Sequence, residues 1–520
     1  VIAARLARLS TTAYELAGLA GAIGQSFSFD LLAKATDRDE ESVSRALEEL
    51  WQRGIIEGKG EAHYDFTHDR LREVAYEELN PVRRRFLHRR IARALGELGG
   101  VSGQIAAHYE SAGVPEPAIQ HYQLAAATAQ QSYAHAEAAG LLRRALALCR
   151  ELPETARRDA LELGLQLELG NALVTTQGYA TPEAGESYTR ALALEQRLGV
   201  HGNTFAILLG LWVFHVVRGE FERSIGFARQ CLELVNEEEQ PAVVMAYLFN
   251  IGASLFHLGR PGEAADYMMR ALKLRPRAGE GVTRLFGTPD IGVFCRSYFA
   301  HVQWHLGLAA EASATSAQAL VEGRAAANPF TRVISLNYAA MLHILRRESG
   351  PALALASESV EFCRQHEFAY YRSMAEILAG WARTFEGDVE GGAAQLRQGL
   401  NSLQATGAEI RLPFYLGLLA EACAAAGRTG EAMAHIANAF AYQSKNGEAW
   451  TLPELHRIHG DLLRRTSQSG ASKTLRTLRS AATERFPNAR CGTVQNIGGR
   501  YTPCCNQTSS LNFALSFVVS

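Results

Sequence analysis

The stretches "LGRPGEAADYMMRALKL", residues 258–274, and "AGRTGEAMAHIANAF", residues 426–440, share a glycine followed by alanines at fixed offsets, and that spacing decides the fold. Gly219, Gly259, Gly307, Gly387 and Gly427 each stand between two helical patterns, at intervals close to 40 residues or twice that, with Arg347 in the one slot that lacks glycine. Gly113 is an early member. Five residues after each slot stand Ala118, Ser224, Ala264, Ala312, Ala352, Gly392 and Ala432; twelve after stand Ala125, Cys231, Ala271, Ala319, Ser359, Gly399 and Ala439. All are small. Positions two helical turns apart share one face, so small residues there let the second helix of a hairpin lie close against the first. Seven residues before the slots the pattern recurs in Ala106, Gly252, Ala300, Ala340, Gly380 and Ala420, with Trp212 breaking it.

The first hundred residues read differently. Helices are expected at 10–22 capped by Ser10, at 28–36, and at 39–53 ended by Gly54. A hairpin, "IIEGKGEAHYDF", follows with Gly58 and Gly60 at its turn, then helices at 68–79 and 81–98. Three helices followed by a two-stranded wing is the order of a winged helix-turn-helix. The expected architecture is mainly α: a winged-helix domain over 1–100, then a helical-repeat superhelix over 101–466. An end of mixed character over 467–520, expected to be disordered or frameshifted, completes it.

On these residues, 101–466 resembles a tetratricopeptide (TPR) α-α superhelix. Residues 1–98 resemble the winged-helix segment that follows the ATPase module of bacterial STAND-class and related AAA-type regulators. "VIAARLARLS", "AIGQSFSFDLL" and "YDFTHDRLREVAYEELNPVRRRFLHRRIARAL" carry that likeness. It implies a non-catalytic signalling region coupled to an ATPase preceding Val1, with a cyclase, kinase or transcription-activator output; ATP and Mg²⁺ would bind only in that missing module, and no cofactor in this chain. TPR geometry, carried over from the resemblance, implies a concave groove lined by Phe249, Phe256, His301, Trp304, Asn337, Met341, Ile377, Trp381 and Phe414. That lining is apolar and aromatic, so the expected partner is a protein or peptide; nucleic acid would call for arginines there.

Composition agrees with these readings. A net charge of −2 on 520 residues offers phosphate and anionic lipid no global attraction. Cys149, Cys231, Cys295, Cys363 and Cys423 are isolated on helical patterns and read as small core fillers of a reducing, cytoplasmic compartment. No apolar run is long enough to span a membrane.

The chemical motifs dissolve on inspection. "GIIEGKG", residues 54–60, lacks the spacing of a phosphate loop and sits in a hairpin, whereas that loop must lead into a helix. His68 and Asp69 read as helix-start residues, with no nucleophile beside them. His301 and His305 in "HVQWH" could share a metal by spacing but lack a third ligand, and Cys504–Cys505 is not a zinc knuckle. A DNA-binding transcription factor is the alternative reading, but helix 39–53 carries Asp39, Glu40, Glu41, Glu48 and Glu49 against Arg45 and Arg53, which repels phosphate. The basic run "NPVRRRFLHRRIARAL", residues 80–95, reads as an amphipathic helix capped by Asn80, with Leu87, Ile91, Ala94, Leu95 and Leu98 inward. Its outer row, Arg85, Arg89 and Arg93, is a candidate interdomain surface, with Glu73, Glu77 and Glu78 as nearby partners.

Overall fold

Every slot of the repeat turns the chain through the left-handed region. Gly113, Gly219, Gly259, Gly307, Gly387 and Gly427 have φ between 68° and 106°, and Arg347 has φ 62°. Glycine has no Cβ to oppose this conformation; arginine bears a strain of about 1 kcal/mol.

The computed structural model describes residues 2–60, 63–132, 134–278 and 289–466, and the expected irregular end lies outside them. In chain order the elements are α1 (Ile2–Leu6), α2 (Thr11–Ile23), β1 (Ser26–Ser28), α3 (Phe29–Lys34), α4 (Glu40–Gln52), β2 (Ile56–Gly58), β3 (His63–Phe66), α5 (Asp69–Glu77) and α6 (Pro81–Glu97). Then come α7 (Ser102–Ser111), α8 (Pro115–Gln131), α9 (His135–Glu151), α10 (Ala156–Gln177), α11 (Pro182–Leu198), α12 (Thr204–Val217), α13 (Phe221–Leu234), α14 (Pro241–His257) and α15 (Pro261–Ala278). The remainder are α16 (Ile291–His305), α17 (Ala309–Ala325), α18 (Pro329–Leu345), α19 (Ser349–Gln365), α20 (Ala369–Phe385), α21 (Val389–Ala405), α22 (Leu412–Ala425), α23 (Thr429–Asn446) and α24 (Leu452–Thr466). The chain is mainly α, as expected. Among the described residues no helix is long and apolar enough to cross a membrane.

Two compact units divide the chain: Val1–Thr176 with Ala193–Val200, and Gln177–Leu192 with the residues from His201 onward. The first therefore extends well past residue 100, where the repeat reading began the superhelix. Ile105 of α7 explains this, because it is buried in the same core as α2, α4 and α6.

In that first unit, Ser10, Ser28, Asp39 and Asn80 each accept a backbone N–H at a helix start, as their side-chain oxygens allow. The three strands form an antiparallel sheet in the order β1-β3-β2, with Phe27 opposite Tyr64 and Glu57 opposite Asp65. β1 is an addition to the expected hairpin, since three residues are too few to show strand alternation. Leu16, Phe27, Leu32, Leu47, Leu50, Phe66, Leu87 and Ile91 fill the core, each side chain contributing about 1.5–3 kcal/mol of burial. On α6, Arg85, Arg89 and Arg93 are exposed while Leu87, Ile91, Ala94 and Leu95 are buried. Leu98 is 48 % exposed, being the C-cap rather than part of the inner face. Glu73 and Glu78 do not reach the arginine row: Glu73 pairs with Arg70 and Glu78 accepts from the Tyr14 hydroxyl.

The second unit stacks helical hairpins. The small residues of the repeat lie at helix crossings: Ala264, Ala271, Ala312, Ala319, Ala352, Ser359, Ala432 and Ala439 are all buried. At α20 and α21 the backbones approach closely, and a Cβ on Gly380 would stand 2.5 Å from the Leu396 nitrogen and 2.7 Å from the Gly392 carbonyl oxygen.

Candidate functional site

The loops that join one hairpin to the next, 406–411 and 446–451, lie against hairpins one turn of the superhelix away. Glu409 and Ile410 donate backbone N–H groups to the Val217 carbonyl at the end of α12, and Ala449 donates to the His257 carbonyl at the end of α14. Both contacts join residues close to 190 apart in sequence, so the superhelix meets itself after about five repeats.

A ring of polar groups holds these loops. The Glu448 carboxylate, fully buried, accepts from His257 Nδ1 at 2.7 Å, from Trp450 Nε1 at 2.7 Å and from the Arg411 backbone N–H at 2.9 Å. The Arg411 guanidinium donates to the Tyr298 and Tyr338 hydroxyls, each at 2.5 Å, and stacks on both rings. Tyr298 Oη closes the circuit 3.1 Å from His257 Nε2. Arg411 itself has φ 63°, so a strained backbone and a buried cation coincide at one residue. Burial outweighs the neighbouring Glu448 carboxylate and pushes the His257 imidazole pKa down to about 4, which fits a neutral ring that donates from Nδ1 and accepts at Nε2.

Beside this ring opens a cleft of about 100 Å³. Trp304, Ile344, Phe414, Leu418, Trp450, Leu455 and Ile458 form its apolar walls, and Arg347, Glu421 and Glu454 its charged edge. Arg347 grips Glu421 with two hydrogen bonds of 2.8 Å and also contacts Glu454. Arg457 holds the same two carboxylates together with Asp461, and Trp381 Nε1 donates to Glu421 at 3.0 Å. Burial works to raise the Glu421 carboxyl pKa, but the Arg347 and Arg457 guanidiniums outweigh it and hold the pKa at about 2. The strained slot residue is thus the one whose side chain ties α18 to α22 and α24. Arg347→Ala and Arg347→Gly lose the same contacts while only alanine keeps the strain, so the alanine variant is expected to be about 1 kcal/mol less stable than the glycine variant in urea denaturation. Equal stability would show the backbone to be relaxed there.

Of the residues implied to line a groove, Trp304 and Phe414 do line the cleft. Phe249, Phe256, His301, Asn337, Met341, Ile377 and Trp381 are buried and do not line it, and Phe414 is buried as well. Phe249 packs among Trp212, Phe294 and Tyr298; Phe256 packs on Trp450; Asn337 donates to the Tyr371 carbonyl. The inserted loops and the tight turn of the superhelix explain the correction, since they cover faces that an open superhelix would expose. His301 and His305 each bond a carbonyl oxygen, of Tyr338 and His301 respectively. Desolvation pushes His301 down to about 3.

A histidine kept neutral in the fold binds fewer protons than in the unfolded chain, so its stabilising contribution is complete above about pH 6.5 and declines on acidification toward the folded value. For His257 and His301 the loss is expected to reach about 1.4 kcal/mol per pH unit for each ring. Urea midpoints compared between about pH 7 and about pH 5 should fall accordingly, with a shallower fall in His301→Asn.

Glu448, Trp450, Arg411 and the Glu454, Arg457 and Asp461 members of the Glu421 cluster escape the sequence pattern, because the loops and α24 lie outside the register of small residues. One signal is present. Gly407 and Gly447 stand 40 residues apart, each followed five residues on by Leu-Pro, in "GAEIRLP" and "GEAWTLP". With Glu367 they form a second series of positive-φ positions, at 58°, 77° and 74°.

Elsewhere Cys423, Glu431 and His435 bring one ligand atom each within 4.8 Å of one another. Arg397 and Arg428 already hold Glu431, and two guanidiniums oppose a further cation there.

No family model matches the chain. It is 26% identical over 481 residues to an uncharacterized protein of Rhizobium meliloti (strain 1021); the match covers 90% of this chain and 46% of that protein, so the chain spans about half the length of the curated relative it matches. Similar solved structures include a STAND protein with a tetratricopeptide repeat sensor from Pyrococcus horikoshii, at TM-score 0.34 and 16% identity, covering 77% of this chain and 64% of that one. A Rap protein complexed with competence and sporulation factor aligns at TM-score 0.42 and 12% identity over 66% of this chain and 98% of that one. The apo quorum sensor NprR from B. thuringiensis aligns at TM-score 0.43 and 12% identity over 72% and 96%.

Proposed function

We propose that this chain is the non-catalytic sensor and scaffold part of a larger bacterial regulator of the STAND or AAA type. Its N-terminal elements act as a winged helix that docks on an ATPase module through Arg85, Arg89 and Arg93. Its TPR-like superhelix binds a protein or peptide. ATP and Mg²⁺ belong, in this reading, to the ATPase alone. The observation that carries the binding half is the cleft at Trp304, Phe414 and Leu418, an apolar recess with a few fixed charges at its edge, which is the usual chemistry of a peptide anchor site.

The docking half is supported by the arginine row, which is exposed and, among the described residues, has no carboxylate partner. Direct DNA reading by α4 is disfavoured by its exposed face, which presents Glu40, Glu41 and Glu48 beside Arg45 and Arg53. A ligand that binds the superhelix better in one ATPase state than another would shift the balance between states by that difference in affinity.

The test is ATP turnover by the intact gene product. Reversing Arg85, Arg89 and Arg93 to glutamate is expected to change turnover by about fivefold or more while leaving the circular dichroism of residues 1–520 unaltered. A gene product that does not hydrolyse ATP, or one indifferent to the reversal, overturns the coupling.

A further inference from the structure

The loop Gly447–Thr451 lies across the ends of α14 and α16 in the manner of a bound peptide. Its Ala449 N–H bonds to the His257 carbonyl at 2.8 Å, a main-chain contact of the kind by which extended peptides are held. Two side chains anchor it. The Glu448 carboxylate meets three donors, from His257, Arg411 and Trp450, and the Trp450 ring packs at 5.1–5.6 Å on Phe256, His305 and Phe414. Trp450 then forms one wall of the open cleft, so the seat of the loop and the cleft are continuous.

The economy of this arrangement is unusual for a purely structural loop. Burying the charged groups of Glu448 and Arg411 is costly, since the two form no ion pair with each other and the guanidinium faces only tyrosine hydroxyls and rings; the best attested use of such buried ionic groups is to fix a register or a switch. Arg411 adds backbone strain at the same point. A carboxylate receptor and an aromatic seat have been built on the inner face and then filled by the chain itself.

We propose that Glu448 and Trp450 are a tethered stand-in for the ligand of the superhelix, and that the ligand is a peptide segment carrying a carboxylate side chain two residues before an aromatic one. This rests on the reading of the superhelix as a peptide binder and names what it binds. In the resting chain the loop competes from an effective concentration of order millimolar, set by its short tether, so a free peptide of micromolar intrinsic affinity is masked. Partner binding displaces the loop, frees Trp450 from the cleft wall and breaks the ring that ties the two turns of the superhelix together. That gives binding a conformational consequence.

The probe is a fluorescent peptide with the sequence of residues 444–453, SKNGEAWTLP, and a control in which its glutamate and tryptophan are alanine. The full chain with Glu448→Ala and Trp450→Ala is expected to bind the probe at least about tenfold more tightly than the unaltered chain, and not to bind the control. Equal binding by both chains, or binding of the control, overturns the proposal. Should the double variant fail to fold, amide exchange in the unaltered chain decides: millimolar probe is expected to speed exchange at the Ala449 N–H of the displaced loop, and unchanged protection overturns the proposal. A random peptide library selected on both chains separates this inference from the reading beneath it. Binders without the acid-x-aromatic pair sink the inference and leave peptide binding standing; a library that yields no binder sinks both.

Discussion

Replacing Glu448 by alanine is expected to cost the second unit about 3 kcal/mol or more, since three buried donors lose their acceptor at about 1–3 kcal/mol each. The loss follows from what the carboxylate leaves behind. His257 Nδ1, Trp450 Nε1 and the Arg411 N–H all donate to it, and burial leaves them no water in its place. Glu448→Gln keeps an acceptor oxygen and should lose less. Tryptophan emission is the apt probe in urea denaturation, because Trp212, Trp304, Trp381 and Trp450 all belong to the second unit. A loss under about 1 kcal/mol would show that the loop is held by packing and not by this ring.

The second large effect is expected at Gly380. A Cβ there would lie 2.5 Å from the Leu396 nitrogen, 2.7 Å from the Gly392 carbonyl oxygen and 2.8 Å from the Leu396 Cα, and all three are backbone atoms of α21. No rotamer change relieves such a clash, so the two helices must part. Gly380→Val is expected to destabilise the second unit by about 3 kcal/mol, at the upper end of what overpacking costs. Gly226 on α13 is the control: it is exposed, a Cβ added there would meet nothing within 4 Å, and Gly226→Ala should stabilise by about 0.5–1 kcal/mol through helix propensity. Urea midpoints of the two variants should move in opposite directions. If Gly380→Val left the midpoint in place, the close crossing of α20 and α21 would be refuted.

Much of the fold was legible because it rests on local rules repeated many times. A glycine slot, a small residue five positions on and another at twelve encode a hairpin and its close crossing, and the structure turns the chain at every slot and buries every one of these small residues but Ala125. The Arg347 slot shows the strength of the register, since a residue poorly suited to positive φ adopts it all the same. Caps at Ser10, Asp39 and Asn80, and the inner face of α6, followed from side-chain chemistry within a few residues of one another.

The candidate site was legible only in part. Trp304 and Phe414 border the cleft, but Phe414 and the other implied groove residues except Trp304 are buried in the core. Nothing in a local pattern states how tightly a superhelix winds. That depends on the summed small rotations between successive hairpins, and only after about five of them do the loops at 409–411 and 448–450 meet α12 and α14. The sequence by itself determined the helices, their turns and their close pairing, because those interactions act over one or two turns of helix. Tertiary structure alone decided that Glu448 meets His257 and that Arg411 meets Tyr298 and Tyr338, because those contacts exist only once the accumulated twist brings distant repeats within hydrogen-bonding distance.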